Sequence, residues 1–197
     1  DEEAGALIAR LFTRRGVTVR VGVEVVKVAP GKGSVAVEID AEGKRETLTA
    51  AQVLMAVGRA ARTKGLGLEA LGVTMDRGLV TVSPTMETSL KGIFAVGDMA
   101  GRQMLAHKAM AEGVVAAEAI AGRSPRPVDY GNVPSCTYCR PPGASIGLSE
   151  ASAKATGREI SVGRFPFTAN GKAVALGETE GFLKVVADKR TGEILGV

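Results

Sequence analysis

The eleven residues Thr88 to Asp98, TSLKGIFAVGD, constrain the fold more than any other stretch of the chain. The apolar run Gly92 to Val96 predicts a short buried strand, the Gly97-Asp98 pair turns the chain, and the proline-free, alanine-rich run from Met104 to Ala121 predicts a helix. Strand, turn and helix in that order form the unit of an α/β sheet. A carboxylate at the carboxyl end of such a strand lies where open sheets hold their ligands, and it can accept a hydrogen bond from a sugar or polyol hydroxyl. The same unit also serves as plain turn chemistry, so Asp98 alone does not define a ligand.

The rest of the chain reads in three blocks. Ala4, Leu7, Ile8, Leu11 and Phe12 fall at helical spacing, with acids in the first turn, Arg14 and Arg15 in the last and Gly16 as a stop; a helix is expected over residues 2 to 15. Val17 to Ala29, Ser34 to Asp40 and Arg45 to Thr49 are β-rich, the last two joined by a hairpin loop at Ala41-Glu42-Gly43-Lys44. A buried strand is expected at Val53 to Val57, closed by Gly58-Arg59, with a surface crossover to Leu68. The second block carries the strand-turn-helix unit and ends near the linker Ser124-Pro125-Arg126-Pro127. The third predicts strands at Ala144 to Leu148, Ile160 to Phe165, Phe182 to Ala187 and Ile194 to Val197, plus a short helix capped by Ser149 and stopped by Gly157.

Composition narrows the function. With 45% hydrophobic and 23% charged residues the chain can bury a core, and 25 basic against 21 acidic residues without a basic block argue against nucleic acid as a partner. No apolar run reaches the length of about 18 to 20 residues that spans a bilayer, and Asp1-Glu2-Glu3 is unlike a signal peptide, so no membrane role and a cytoplasmic setting are expected. The absence of an initial methionine and the end within a strand-like run predict an internal fragment.

Two tempting motifs carry bland readings. Cys136-Thr137-Tyr138-Cys139 is formally C-x-x-C, but Pro134 before it and Arg140-Pro141-Pro142 after it predict an extended segment, not the helix start that activates a thiol. Structural thiols are the expectation, with redox activity or a two-cysteine metal site as alternatives. His107, the single histidine, falls in the first turn of a helix and reads as a packing or capping residue. No G-x-G-x-x-G occurs, so neither dinucleotide finds a pyrophosphate turn within these 197 residues.

The segments TSLKGIFAVGD, MLAHKAMAEGVVAAEAIAG, MAVGR and PSCTYCRPPGASIGLSE together resemble the pyridine nucleotide-disulfide oxidoreductase family, with the second of them closest to its dihydrolipoamide dehydrogenase branch. The resemblance covers nearly the whole chain. It implies an α/β and α+β chain holding parts of two Rossmann-like domains and the start of a dimerisation domain: residues 1–57 in the NAD domain, 58–127 in the FAD domain and 128–197 at the interface. It further implies FAD and NAD as cofactors, with Gly97, Asp98, Met104, Leu105, Ala106 and His107 on the FAD side, Asp98 meeting the ribityl hydroxyls and Ala106 offering backbone N–H to the ring. Val25, Ala56 and Gly58 match positions bordering NAD, although Val25 also reads as a core residue. No catalytic residue and no metal site carries over.

The partners implied are a second copy of the polypeptide and the lipoyl domains of 2-oxo acid dehydrogenase or glycine cleavage complexes. The activity implied is oxidation of dihydrolipoamide with electrons passing to NAD; a related reductase with another substrate and a non-catalytic binding module remain the alternatives. The sequence departs from the family at GRAART, where GRxPN is usual, and at YCRPP, where Pro142 replaces a glutamate.

Overall fold

A computed structural model describes residues 1–197, and it divides into two compact units, Glu2–Gly58 and Arg59–Val197 with Asp1. Both mix helix and strand, as an α/β and α+β chain requires.

In the first unit, α1 (Glu2–Arg14) starts with Glu2 and Glu3 at its amino end and finishes with Arg14, charges that complement the helix dipole. Gly16, at φ 83, ends it. Strands β1 (Glu24–Pro30), β2 (Val35–Ala41) and β3 (Lys44–Ala50) form an antiparallel meander with β2 central and Ile39 buried in it. The β2–β3 turn holds Glu42 at φ 53 and Gly43 at φ 82, the pair of positive values that suits the twist of a two-residue hairpin. Asp40 Oδ1 accepts the Gly43 amide at 2.7 Å and fixes it.

Two expectations fail here. Residues 17–23 lie outside β1, and Val53 to Val57 pair with nothing: Leu54 is 90% exposed and Val57 87%. An apolar run becomes a strand only where a neighbour takes its amides and carbonyls, and this unit offers none beside residues 53–57.

Early in the second unit Thr63 is buried and donates its hydroxyl to the Gly78 carbonyl at 2.8 Å, so the crossover dips into the fold at that one residue. A small hairpin, β4 (Met75–Asp76) and β5 (Leu79–Val80), follows. Val73, Val80 and Ala95 make one buried cluster; Met86, Val115 and Ala116 make a second. Val82 touches both, so the segment leading into Gly97 and the helix α2 (Ala106–Ile120) are wedged together by apolar contact. The expected strand Gly92 to Val96 is reduced to an isolated bridge, Glu87↔Phe94, supported by the Ala95 amide on the Met86 carbonyl. The chain doubles back on itself there, and no flanking strand is at hand to build a sheet.

Beyond the linker, which holds neither helix nor strand, β6 (Ser135–Thr137) pairs with β7 (Gly143–Ser145). Next comes α3 (Glu150–Ala155), whose Ser149 side chain accepts the Ser152 amide as expected of its cap. Strand β8 (Ile160–Pro166), an unforeseen helix α4 (Gly171–Leu176), β9 (Phe182–Asp188) and β10 (Ile194–Gly196) complete the chain, with sheet order β10-β9-β8. Gly147 and Gly196 bridge the end of β7 to β10. No helix is long and apolar enough to cross a membrane.

Candidate functional site

Gly97 opens a 3-10 turn, Gly97–Ala100, with its φ at 77, a value an L side chain rarely adopts. A Cβ built there would meet the Ala109 side chain at 3.4 Å, so the turn lies directly against the first turns of α2. Gly97 is buried, whereas Asp98, the next residue, is exposed.

Side chains of α2 hold that turn in place. Glu112 Oε2 accepts the Gly97 amide at 2.7 Å, and Lys108 Nζ donates to the carbonyls of Gly97 at 2.9 Å and Gly101 at 3.1 Å. Lys108 and Glu112 also pair with each other at 3.1 Å, one helical turn apart, and both side chains are fully buried. Burying two charges is tolerable only when their remaining hydrogen-bonding capacity is filled, and here backbone groups fill it. Tyr130 completes the arrangement by donating its hydroxyl to Glu112 Oε1 at 2.8 Å. Burial, with the Glu112 carboxylate beside it, pushes the Tyr130 phenol up to about 12. Arg102 lies over the Tyr130 ring at 3.9 Å from its centroid, which caps the network on one side.

The amino end of α2 is open. Leu105 stands at its N-cap with extended backbone and no side chain accepts its first amides, a situation that leaves an anion- or acceptor-binding end. Next to it, Gln103 Nε2 donates to the Tyr130 carbonyl at 3.2 Å, while Gln103 Oε1 is buried without a hydrogen-bond partner. Uncapped amides, an orphaned acceptor and an exposed carboxylate on a rigid turn fit a ligand with both hydroxyl donors and acceptor atoms, as FAD has.

The remaining expected positions separate into two groups. Gly97, Asp98, Met104, Leu105, Ala106 and His107 all fall on the turn or on the start of α2, with Ala106 and His107 exposed. His107 Nε2 donates to the Pro134 carbonyl at 2.8 Å, tying the first turn of α2 to the segment before β6. Val25, Ala56 and Gly58 belong to the first unit and are exposed; Val25 is 53% exposed, which corrects its reading as a core residue. Strand β1 is exposed along almost its whole length, Val26 and Val28 included, so neither of its faces is packed.

Cys136 and Cys139 are free thiols. Cys136 lies in β6, extended as expected, and Cys139 Sγ donates to the Pro141 carbonyl at 3.0 Å. Lys108, Glu112 and Tyr130 are the residues the sequence reading missed. A lysine and a glutamate four apart on an otherwise apolar helix face were the available signal.

Comparison with known proteins places these features in a family. Residues 1–113 match a family model described as pyridine nucleotide-disulphide oxidoreductase, and residues 133–197 match the dimerisation domain of the same name. A dihydrolipoyl dehydrogenase of Rhizobium etli is 49% identical over 198 residues, which is 100% of this chain and 41% of that protein. Its counterpart in Chlorobaculum tepidum is 43% identical over 197 residues, 100% of this chain and 42% of that protein. Among solved structures, LpdA of Mycobacterium tuberculosis matches with a TM-score of 0.87 at 27% identity, covering 100% of this chain and 42% of that one. The HOCl-induced flavoprotein disulfide reductase RclA of Escherichia coli matches with a TM-score of 0.85 at 26% identity, covering 97% and 43%. The chain thus spans about two fifths of the length of the relatives it matches.

Proposed function

We propose, for a chain that belongs to the pyridine nucleotide-disulphide oxidoreductase family, that it is the middle part of a dihydrolipoyl dehydrogenase polypeptide and supplies that enzyme with one wall of its FAD site. Residues 1–57 are assigned to the NAD domain, 58–127 to the FAD domain and 128–197 to the dimerisation domain; the separate compact unit Glu2–Gly58 supports the first boundary, and the start of the dimerisation-domain match at residue 133 supports a boundary near the second. The observation that carries the reading is the Gly97–Asp98 turn, pinned rigidly to α2 with the Asp98 carboxylate left exposed beside the uncapped helix end.

Asp98 would accept hydroxyl hydrogen bonds from the ribityl chain, and the amides at Ala106 and His107 would face acceptor atoms of the ring. Positive polarity at the start of α2 favours negative charge on whatever it faces. When bound, FAD supplies a two-electron relay between a dithiol and NAD. Val25, Ala56 and Gly58 would border NAD, and their exposure leaves them open to it. The partners proposed are a second copy of the polypeptide, through the dimerisation domain, and lipoyl domains carrying dihydrolipoamide.

In the complete polypeptide, Asp98→Ala should weaken FAD binding by roughly ten- to a hundredfold, the equivalent of about 1.5 to 3 kcal/mol for a hydrogen bond to a charged group. Flavin retained as in the wild type after dialysis would sink the assignment. The RclA match favours a second reading, a disulfide reductase with another substrate. Turnover with dihydrolipoamide decides between them.

A further inference from the structure

We infer that Lys108 and Glu112 are positioning residues for the cofactor: together they fix Gly97 and Gly101 so that the Asp98 carboxylate and the start of α2 face the ligand as one rigid body. The inference rests on the reading that Asp98 and the α2 amino end hold FAD.

Three bonds define the device. Glu112 accepts the Gly97 amide at 2.7 Å, Lys108 donates to the Gly97 carbonyl at 2.9 Å, and the same ammonium donates to the Gly101 carbonyl at 3.1 Å. Both polar groups of Gly97 are therefore bonded to α2, as is the residue that follows the 3-10 turn. Asp98 lies between these fixed points with its side chain uncommitted to any of them.

The arrangement exceeds what holding the helix requires. Val115 and Ala116 already anchor α2 through the buried cluster with Met86. An apolar pair at positions 108 and 112 would bury as well and avoid the desolvation of two charges. What an apolar pair cannot do is bond an amide and two carbonyls of a turn whose neighbouring carboxylate must hold its direction. Preorganising such a group removes ordering cost from binding, so the pair acts on affinity through geometry.

The test uses the complete polypeptide as apoprotein, with the equilibrium Kd for FAD and the apoprotein Tm as the two readouts. Glu112→Leu should raise Kd at least tenfold. Glu112→Gln, which keeps an oxygen for the Gly97 amide, should recover most of that loss. Val115→Ala, a core truncation on the same helix, serves as the control for destabilisation alone and should leave Kd within about twofold at a comparable fall in Tm.

Should Glu112→Leu fail to fold, the near-isosteric double variant Lys108→Met/Glu112→Gln carries no buried unpaired charge and decides the matter, with a Kd raised at least tenfold expected. Kd values for the pair variants no higher than for Val115→Ala would overturn the inference. Asp98→Ala, run alongside, separates the two claims: if it weakens FAD while the pair variants do not, only the positioning role falls. A wild-type Kd in Asp98→Ala removes the cofactor reading on which that role depends.

Discussion

Tyr130 donates its hydroxyl to Glu112 across eighteen residues of chain, at 2.8 Å, and with Val128 packed near Val115 joins the segment after the linker to the interior of α2. Its phenol is pushed up to about 12 by burial and by the Glu112 carboxylate. A folded value above the ordinary 10 stabilises the fold below about pH 10, and that contribution is lost as pH rises through about 12. A phenolate absorbance titration, wild type minus Tyr130→Phe, should show one phenol ionising near 12. A difference curve centred near 10 would contradict the burial of the phenol against the Glu112 carboxylate.

Glu150 is the acid-sensitive counterpart. Lys154 at 2.7 Å and then Lys184 at 2.8 Å hold its carboxyl down at about 2. The folded value lies below the unfolded one, so the stabilisation is complete above about pH 4.5 and fades as pH falls toward about 2. Urea unfolding of wild type and Glu150→Gln should differ most near neutrality and converge across that interval. A gap that is constant from pH 7 to 3 would show that charge on Glu150 is not its cause.

Gly147 should tolerate no side chain. At φ 74 it bridges Gly196, and an added Cβ would lie 2.3 Å from the Leu195 carbonyl oxygen, a clash with backbone that cannot swing away. Gly157, at φ 76 with nothing within 4 Å, is the natural comparison. Gly147→Ala is expected to cost roughly 2 to 3 kcal/mol by thermal or urea unfolding, against about 1 kcal/mol for Gly157→Ala. Equal losses would mean that backbone conformation alone, without the close approach, sets the cost.

Local chemistry explains which parts of this fold were legible beforehand. α1, the Glu42-Gly43 hairpin, the Ser149 cap and strands β8 and β9 each depend on residues within a few positions of themselves, and each lies within a few residues of where those residues predict it. Val53 to Val57 and Gly92 to Val96 have the composition of buried strands, but strand formation is decided by a neighbour distant in sequence, and none pairs with them along their length. α4 went unforeseen: it is only six residues long and starts on Gly171, a weak helix former, with Asn170 capping it by accepting the Ala173 amide.

The site divides in the same way. Asp98 was marked by its place after an apolar run and a glycine, while its role and the residues at the start of α2 came only through the family resemblance. Lys108 and Glu112 did not, because charged residues on a helix usually face water, and only the position of Gly97 reveals that these two point inward.

The mutual dependence of Gly97 and α2 also bears on how the chain folds. A slip of α2 by one residue rotates its side chains by about 100° and would carry Lys108 and Glu112 off the turn together. Without the turn the helix buries two charges lacking their backbone partners, and without the helix the left-handed glycine has an amide and a carbonyl left unbonded. Neither element is a stable stopping point, so the two should form in a single cooperative event that fixes the register of the helix at the moment the loop closes.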